Sequence, residues 1–572
     1  MLKQYILFIF TWLLVVKGFS QAQFQIVTSS VGLEYSCGNT YLGSGVSFVD
    51  FNSDGWDDIS LATDENSTPL FFQNNNGVFE PIDLGLPISS YQNKQLTWVD
   101  FDNDGDKDLF ITSNTDGNIL FQNNGELSFI DVTEESGLET ENISTNGVSW
   151  GDVNNDGYLD LFMSNRGEIA TVQNHLYLNN GDGTFSNNTE ESNIMDVAEA
   201  SFCSVMFDFN NDGWLDIFVA NDKPLYPNRL YKNDGDGTFT EVGESSGAGI
   251  IMDAMTATVD DYNNDSYMDI YITNTQSGNI LLENNGDETF TDVTSLSGTD
   301  FNSLGWGAVF FDAENDTDLD LYVSSMFDGS VYNYLSSALY INNGDETFDI
   351  CEEADNDNDT SESYANAIGD FNNDGLIDFV VTNNTDDIFL FYNNSMNPGN
   401  WLKLNFEGVE SNRDGIGTLI ELGIDENAQY RMVRCGEGYL AQNSLTQHFG
   451  VGDATEIDYL KISWPSGQVD WYYDIEVNQS LSFLEGQGEL SIEDKTFNTV
   501  KMYPTITSNL LNFSAITPIK SLVIYDGLGQ KINSIKGDSS TSSIDVSALS
   551  TGLYTIVVVT TEAKEILKFV KR

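Results

Sequence analysis

Basic residues are scarce in this sequence. The 572 residues contain 22 Lys and Arg against 90 Asp and Glu, a formal charge of −68. A shortage of that size argues against nucleic acid, whose phosphates need cationic side chains to displace their counterions. Direct docking on anionic lipid is disfavoured for the same reason. Histidine is scarcer still: two residues leave little room for His-based zinc sites or His-driven acid–base catalysis. The four cysteines, Cys37, Cys203, Cys351 and Cys435, are far apart and form no CxxC pair. An exported chain can oxidise four cysteines in three connectivities, and nothing in the sequence chooses among them; buried thiols are the more ordinary expectation. Long apolar runs are missing too, as is helical periodicity. The richest apolar stretch, residues 5–16, falls short of the ~20 residues that span a bilayer. What is present rules out a disordered acidic tail, because 40% apolar and 12% aromatic residues fill large cores. The partner this composition asks for is a cation.

The N-terminus reads as a secretory signal over residues 1–22. Lys3 supplies the positive region, the short apolar run follows, and Ser20 and Ala22 offer a small-residue cleavage pair. No transmembrane segment is expected after its removal. Charge breaks sharply near the other end. Residues 501–572 carry 8 basic and 5 acidic side chains, a balance of +3, whereas the first 500 residues carry −71. Such a break marks a separate module.

Internal self-similarity gives the architecture. A nine-residue pattern, D-x-[DNE]-x-D-[GST]-x-x-D, occurs seven times, beginning at Asp50, Asp100, Asp152, Asp208, Asp261, Asp312 and Asp370. Successive copies are 50, 52, 56, 53, 51 and 58 residues apart. β-Branched and aromatic runs flank each copy, such as residues 45–49 before the first and 108–112 after the second, so each acidic loop joins two antiparallel strands. A third strand turns through Asn/Asp/Gly clusters such as residues 179–183, which tolerate positive φ. A fourth begins at Phe79, Phe129, Phe185, Phe239, Phe290 or Phe348. Four strands in each of seven repeats predict an all-β chain headed by a seven-bladed β-propeller over residues 23–396. The seventh repeat has no Phe-led fourth strand of its own. Residues 24–28, which resemble 290–294, are expected to complete that blade and leave no sheet edge open.

Positions 1, 3, 5 and 9 of each loop present side-chain oxygens, position 7 can offer a backbone carbonyl, and a small residue at position 6 permits the reversal. Hard oxygen ligands at this spacing suit Ca²⁺, which takes six to eight of them. Position 12, where an EF-hand places a bidentate Glu, is Leu61 in the first copy, and the flanks are strands, so an EF-hand is excluded. The expected ligands are Asp50, Asn52, Asp54, Trp56 and Asp58; Asp100, Asp102, Asp104, Asp106 and Asp108; Asp152, Asn154, Asp156, Tyr158 and Asp160; and Asp208, Asn210, Asp212, Trp214 and Asp216. The remaining copies supply Asp261, Asn263, Asp265, Tyr267 and Asp269; Asp312, Glu314, Asp316, Asp318 and Asp320; and Asp370, Asn372, Asp374, Leu376 and Asp378. Up to seven structural Ca²⁺ ions are expected. Crowded carboxylates repel one another without a counter-cation, and seven ions would bring the charge to −54. Copies five and six carry Ser266 and Thr317 at the turn position and are expected to be the weakest sites, because a Cβ disfavours a left-handed backbone.

The loops and Phe-led strands resemble the FG-GAP/VCBS repeats of integrin-α-like propellers, over roughly residues 24–395. Residues 397–487 lack the acidic loop. They show Asn400-Trp401-Leu402-Lys403-Leu404, Gly415-Ile416-Gly417, Gly436-Glu437-Gly438-Tyr439-Leu440-Ala441-Gln442, His448-Phe449-Gly450-Val451-Gly452 and Trp464-Pro465-Ser466-Gly467. Short apolar runs between glycine turns predict a small β domain. These motifs resemble the ASPIC/UnbV domain found in the cartilage acidic protein family, with Ala441 where that family more often has serine. The resemblance implies an architecture more than an activity. Arg431, Arg434 and His448 are candidates for a polar ligand patch, weighed against a bracing role in turns or core hydrogen bonds, the more common fate of isolated polar residues.

A linker over residues 488–500 is expected to lead into residues 501–572, which read as short strands of a C-terminal β-sandwich. With Tyr503-Pro504, Tyr525-Asp526, Gly552-Leu553-Tyr554 and the basic end Lys568, Lys571 and Arg572, the module is similar to type A sorting domains of type IX secretion. Its opening reads Tyr503-Pro504-Thr505-Ile506 in place of the usual Y-P-N-P. The resemblance implies the type IX secretion machinery as a partner and a secreted or outer-surface protein of a Gram-negative, Bacteroidetes-type cell. No Ser/His/Asp, Cys/His or phosphate-loop arrangement is visible. The expected function is a calcium-organised, non-enzymatic adhesion or ligand-binding module for an extracellular glycan or protein. Asn/Asp-rich loops and the aromatics Tyr332, Tyr334 and Tyr364 are candidates for the contact, any of which is equally at home in a core. The alternatives are a calcium-dependent polysaccharide-active enzyme and a passive surface scaffold.

Overall fold

A computed structural model describes residues 21–572, apart from 116, 140–142, 167–171, 195–197, 328–333, 352–353, 355–360, 426, 489–499, 504–505, 516–518, 527–530, 537–542 and 561–563. The expected signal segment up to residue 20, Tyr332 and most of the linker lie outside the described residues. Two compact units are present, Met1–Glu489 and Leu490–Arg572.

The first unit is all-β apart from single-turn helices such as Gly243–Ser246 and Thr294–Ser297. Its repeats form seven sheets of like order. The first four-strand set is Val46–Val49, Asp58–Leu61, Leu70–Asn74 and Phe79–Ile82. The second is Asn93–Val99, Asp108–Ser113, Ile119–Asn123 and Phe129–Asp131, and the third, fourth, fifth and sixth sheets begin at Thr145–Gly151, Ser201–Phe207, Ala257–Asp260 and Gly305–Phe311. In the seventh, Ser363–Gly369, Asp378–Asn383 and Phe389–Asn393 are joined by Phe24–Ile26, whose Phe24 pairs antiparallel with Asn393. The Phe-led strands begin where the sequence pattern places them.

Inner strands are buried on both faces where neighbouring sheets pack on them; all seven residues of Asn93–Val99 are buried. The stacking is keyed by polar contacts as well as apolar ones. Trp98 Nε1 donates to Ser60 Oγ of the first sheet at 3.0 Å, and Trp150 Nε1 donates to Thr97 Oγ1 of the second at 2.9 Å. Buried indole N–H groups need such partners.

Residues 397–487 belong to this same unit. Two sheets, one of Asn400–Glu407, Gln447–Gly452 and Gln479–Leu484 and one of Leu419–Ile424, Asn427–Met432, Glu456–Ser463 and Val469–Glu476, enclose Leu402, Leu404, Ile420, Leu422, Leu460 and Ile462. From this small domain, residues 434–444 reach back to the repeats and touch the first strand of each of the seven sheets. Ala441–Gln442 pairs in parallel with Val46 and Ser47, and the Gln442 amide both accepts from Trp98 N and donates to Trp98 O, at 2.7 and 2.8 Å. Trp150 N donates to Cys435 O, the Tyr439 ring packs on Phe202 and Trp306, Gly438 N donates to Ala257 O, and Ile368 N donates to Asn443 Oδ1. Through this segment the small domain and the repeats form one compact unit.

The second unit is a two-sheet sandwich whose core includes Leu511, Phe513, Leu522, Ile524, Ile556 and Val558. Among the described residues, no helix is long and apolar enough to cross a membrane. Cys37, Cys203 and Cys435 are buried thiols, and burial pushes Cys37 and Cys203 up to about 11.

Candidate metal centres in the acidic loops

Each acidic loop is folded by its own carboxylates. The first-position Asp accepts the amides of positions 5 and 6 on its two oxygens: Asp54 N to Asp50 Oδ1 at 3.0 Å and Gly55 N to Asp50 Oδ2 at 2.7 Å. The same pair of bonds recurs at Asp100, Asp152, Asp208, Asp261, Asp312 and Asp370. The third-position oxygen of Asn52, Asp102, Asn154, Asn210, Asn263 and Asn372 accepts the amide of position 5. Asp54, Asp104, Asp156, Asp212, Asp265, Asp316 and Asp374 accept the amide of position 7. These Asx-turns fix the backbone of each loop through its own side chains.

The ninth-position Asp sits at the start of the second strand and is the most enclosed of the set. Asp58 accepts Phe51 N on one oxygen and Asn74 N on the other, at 3.3 and 2.8 Å. Equivalent pairs hold Asp108, Asp160, Asp216, Asp269, Asp320 and Asp378. Burial pushes Asp58 up to about 8 and Asp108 to about 9, and drives Asp160, Asp216, Asp269, Asp320 and Asp378 well above the usual carboxylate range. First-position carboxyls follow: burial takes Asp152 and Asp208 to about 6, Asp100 and Asp261 to about 7, and Asp312 to about 8. A group pushed up in this way lacks charge compensation, which a divalent cation would supply.

In the second loop, Asp100, Asp102 and Asp108 each bring one carboxylate oxygen to within 4.8 Å of the others, a spacing that fits a common cation. Asp104 stands outside that trio. The sixth loop differs: Glu314 makes no bond to the Asp316 amide, and its buried Oε2 has no hydrogen-bond partner among the described residues. Ser266 and Thr317 do adopt the left-handed conformation the turn requires, at φ 79° and 92°.

Two sets of functional residues escaped the sequence reading. Position 4, mostly Asn, is also left-handed, with φ 55–60° across the seven loops. In five of the loops its side chain reaches the next loop, as Asn103 Nδ2 to Gly157 O at 2.9 Å, Asn155 to Gly213 O at 3.2 Å and Asn373 to Gly55 O at 3.1 Å. The second set ends the third strands. Asn342 Nδ2 donates to Leu319 O of its own loop and Tyr262 O of the loop before, at 3.2 and 3.1 Å, and Asn74 spans in the same way from Asp57 O to Phe371 O of the seventh loop. Recurrence of Asn at one place in every repeat was the available signal. Position 7 does more than present a carbonyl: the rings of Tyr158, Trp214 and Tyr267 cover the turn glycines Gly181, Gly235 and Gly286, leaving no room for a Cβ there.

The small domain supplies cations to two loops. Lys403 Nζ lies 3.0 Å from Asp370 Oδ2 in the seventh, and Arg413 Nε lies 3.9 Å from Asp100 Oδ2 in the second. Arg434 is spent on Asp260 and Glu437, the buried His448 Nε2 lies 3.0 Å from Gly375 O, and Arg431 Nη1 donates to Tyr430 O. Arg434 and His448 thus brace the junction between the small domain and the repeats, whereas Arg431 stays within the small domain, its guanidinium 5.3 Å from the Phe449 ring centre. Tyr364, a candidate contact residue, is 4% exposed and packs on Trp306 at 4.8 Å, so it is a core residue.

Fold and loops define a propeller-like protein built of acidic repeats. Comparison with known families agrees: a model described as FG-GAP-like repeat matches residues 50–111, 100–163, 208–272 and 261–323. The model ASPIC and UnbV matches residues 408–490, and a secretion system C-terminal sorting domain matches 501–572. The chain therefore carries a sorting signal for secretion or cell-surface display. Among curated proteins it is similar to cartilage acidic protein 1 of Mus musculus, 24% identical over 304 residues that take in 50% of this chain and 45% of the relative. Cartilage acidic protein 1 of Homo sapiens is 25% identical over 266 residues, 44% of this chain and 39% of the relative. The match thus spans less than half the length of these relatives. A solved structure, the extracellular domain of a one component system from B. thetaiotaomicron, overlaps 97% of this chain and 60% of its own at 12% identity, with a TM-score of 0.38 too low to carry a fold argument.

Proposed function

We propose that this is a secreted or outer-surface, calcium-binding ligand-binding protein of a Bacteroidetes-type cell, exported by the type IX machinery and without enzymatic activity. Its seven sheets close into a seven-bladed propeller. Supporting closure, the N-terminal strand completes the last sheet, and Asn74 and Asn373 bond the first and seventh loops in both directions. The observation that carries calcium is the loop interior, where Asp100, Asp102 and Asp108 converge within 4.8 Å and burial pushes the carboxyls up. The residues fit the ion: hard oxygens at positions 1, 3, 5, 7 and 9 hold it, with carboxyls relieved of mutual repulsion. Its role is structural, and the ligand is an extracellular glycan or protein.

The test is a ligand array of glycans and matrix proteins probed with the mature chain in millimolar Ca²⁺ and in EDTA, alongside calorimetric Ca²⁺ titration. Heat of binding at several sites, with one ligand class retained only in Ca²⁺, is the expected result. No calcium uptake by folded protein would sink the metal assignment. Silence on the array in both arms would remove the binding role and leave a scaffold or an enzyme.

A further inference from the structure

One face of the small domain's four-stranded sheet is built like a core and the other is not. Ile420, Leu422, Leu460 and Ile462 point inward at 0% exposure, and Tyr472 packs inward on Phe483 with ring centres 4.6 Å apart. The opposite face carries a cross-strand row of Tyr430, Glu421, Lys461 and Trp471, with Tyr459 and Tyr473 paired beside it. All six are partly exposed. Trp471 and Tyr473 lie side by side, ring centres 6.2 Å apart and planes within 10°, and Tyr459 adjoins Trp471 at 5.6 Å. Gly423 makes the Tyr459 position possible, because a Cβ there would lie 2.0 Å from that ring.

The polar groups between the rings are fixed. Glu421 accepts from Tyr459 Oη at 2.7 Å and from Lys461 Nζ at 3.0 Å, and Lys461 also lies 5.7 Å from the Trp471 ring centre. The patch is therefore a rigid aromatic surface whose own charges cancel. It runs into a cleft of about 410 Å³ that Tyr430, Glu421 and Lys461 share with the loop residues Asn155, Asp208 and Asn211. That volume lies in the range of small-molecule clefts.

The geometry points to this surface as the binding platform for a neutral polysaccharide. A pyranose ring has an apolar C–H face that stacks on an aromatic ring, and a rim of hydroxyls that Glu421, Lys461 and the loop amides would bond. Charge narrows the class: a molecule at −68 repels acidic polymers, and the balanced Glu421–Lys461 pair leaves hydroxyl recognition and stacking as what this surface itself offers. The assignment rests on the ligand-binding role proposed above and names its site and chemistry.

The test uses the full chain in millimolar Ca²⁺, by electrophoresis through gels containing xylan, mixed-linkage glucan or galactomannan and by pull-down on cellulose and chitin. Wild type is retarded by at least one of these. Trp471→Ala weakens that retention by about tenfold or more, as expected of a central aromatic contact, while Trp471→Phe keeps part of it. Folding of each variant is checked by its calcium-dependent melting. Retention of Trp471→Ala and Tyr473→Ala at wild-type strength overturns the platform. So does a wild type that no neutral polysaccharide retards, including one that instead captures a matrix protein. Either failure leaves the calcium-binding reading standing, since that is judged by Ca²⁺ uptake and by calcium-dependent melting instead.

Discussion

The sixth and seventh loops follow one pattern but carry different electrostatic loads. The seventh holds Asp370, Asn372, Asp374 and Asp378, turns on a glycine, and receives the Lys403 ammonium at 3.0 Å from Asp370. The sixth holds Asp312, Glu314, Asp316, Asp318 and Asp320, turns on Thr317, and among the described residues has no cationic side chain in salt-bridge range; Arg431 acts only from farther off. Burial there pushes Glu314 up to about 8 and Asp318 to about 6. An acidic consensus thus specifies a loop conformation, while its charge balance comes from whatever the rest of the chain, or the solvent, places beside it.

Chelation breaks the comparison most completely. One site held at a hundred times its Kd adds about 2.7 kcal/mol, so EDTA should lower the calorimetric melting temperature steeply, with unfolding beginning from the repeats. An unchanged melting temperature would mean that neither loop holds an ion. The same scans against pH carry a definite sign. In EDTA the folded molecule binds more protons than the unfolded one, because burial lifts Asp58 to about 8 and Asp108 to about 9. Stability of the ion-free protein therefore falls as pH rises from about 4 to about 9, and the stabilisation by Ca²⁺ grows over the same window. A melting temperature in EDTA that rises with pH would contradict this.

Lys403→Met sharpens the comparison by leaving the seventh loop as bare as the sixth. Removing one partner of a buried pair costs about 3 kcal/mol in EDTA, and the loss should shrink in Ca²⁺ as the ion replaces the ammonium. Equal losses in both conditions would show that the seventh loop takes no ion. Asn342→Ala strips the donors from Leu319 O and Tyr262 O, and two orphaned carbonyls should lower stability by about 2 kcal/mol in urea titrations. Smallest is Thr317→Gly, expected to stabilise by about 1 kcal/mol because the turn lies at φ 92°. A destabilised variant would show that the Thr317 side chain has contacts worth more than its strain.

Legibility in the sequence tracked the range of the interactions. The loop ligands and Phe-led strands were readable because each is decided within about ten residues, by alternation, turn chemistry and the local Asx bonds. Asn342 and Asn103 act between repeats, and only their recurrence advertised them. The run from Gly436 to Gln442 was recognised as a motif of the small domain, yet its pairing depends on strands hundreds of residues earlier. Tyr364 failed for the same reason, since its burial against Trp306 is set by a neighbouring sheet.

The segment from residue 434 to 444 also imposes a timetable. It is made only after every repeat has been synthesised, yet it supplies partners to groups as early as Val46 N, Ser47 Oγ and Gln95 Nε2. Until residue 444 is made, these polar atoms lack the partners they have in the complete chain. A chain truncated short of that point is therefore expected to be more open to proteases, however many repeats it contains.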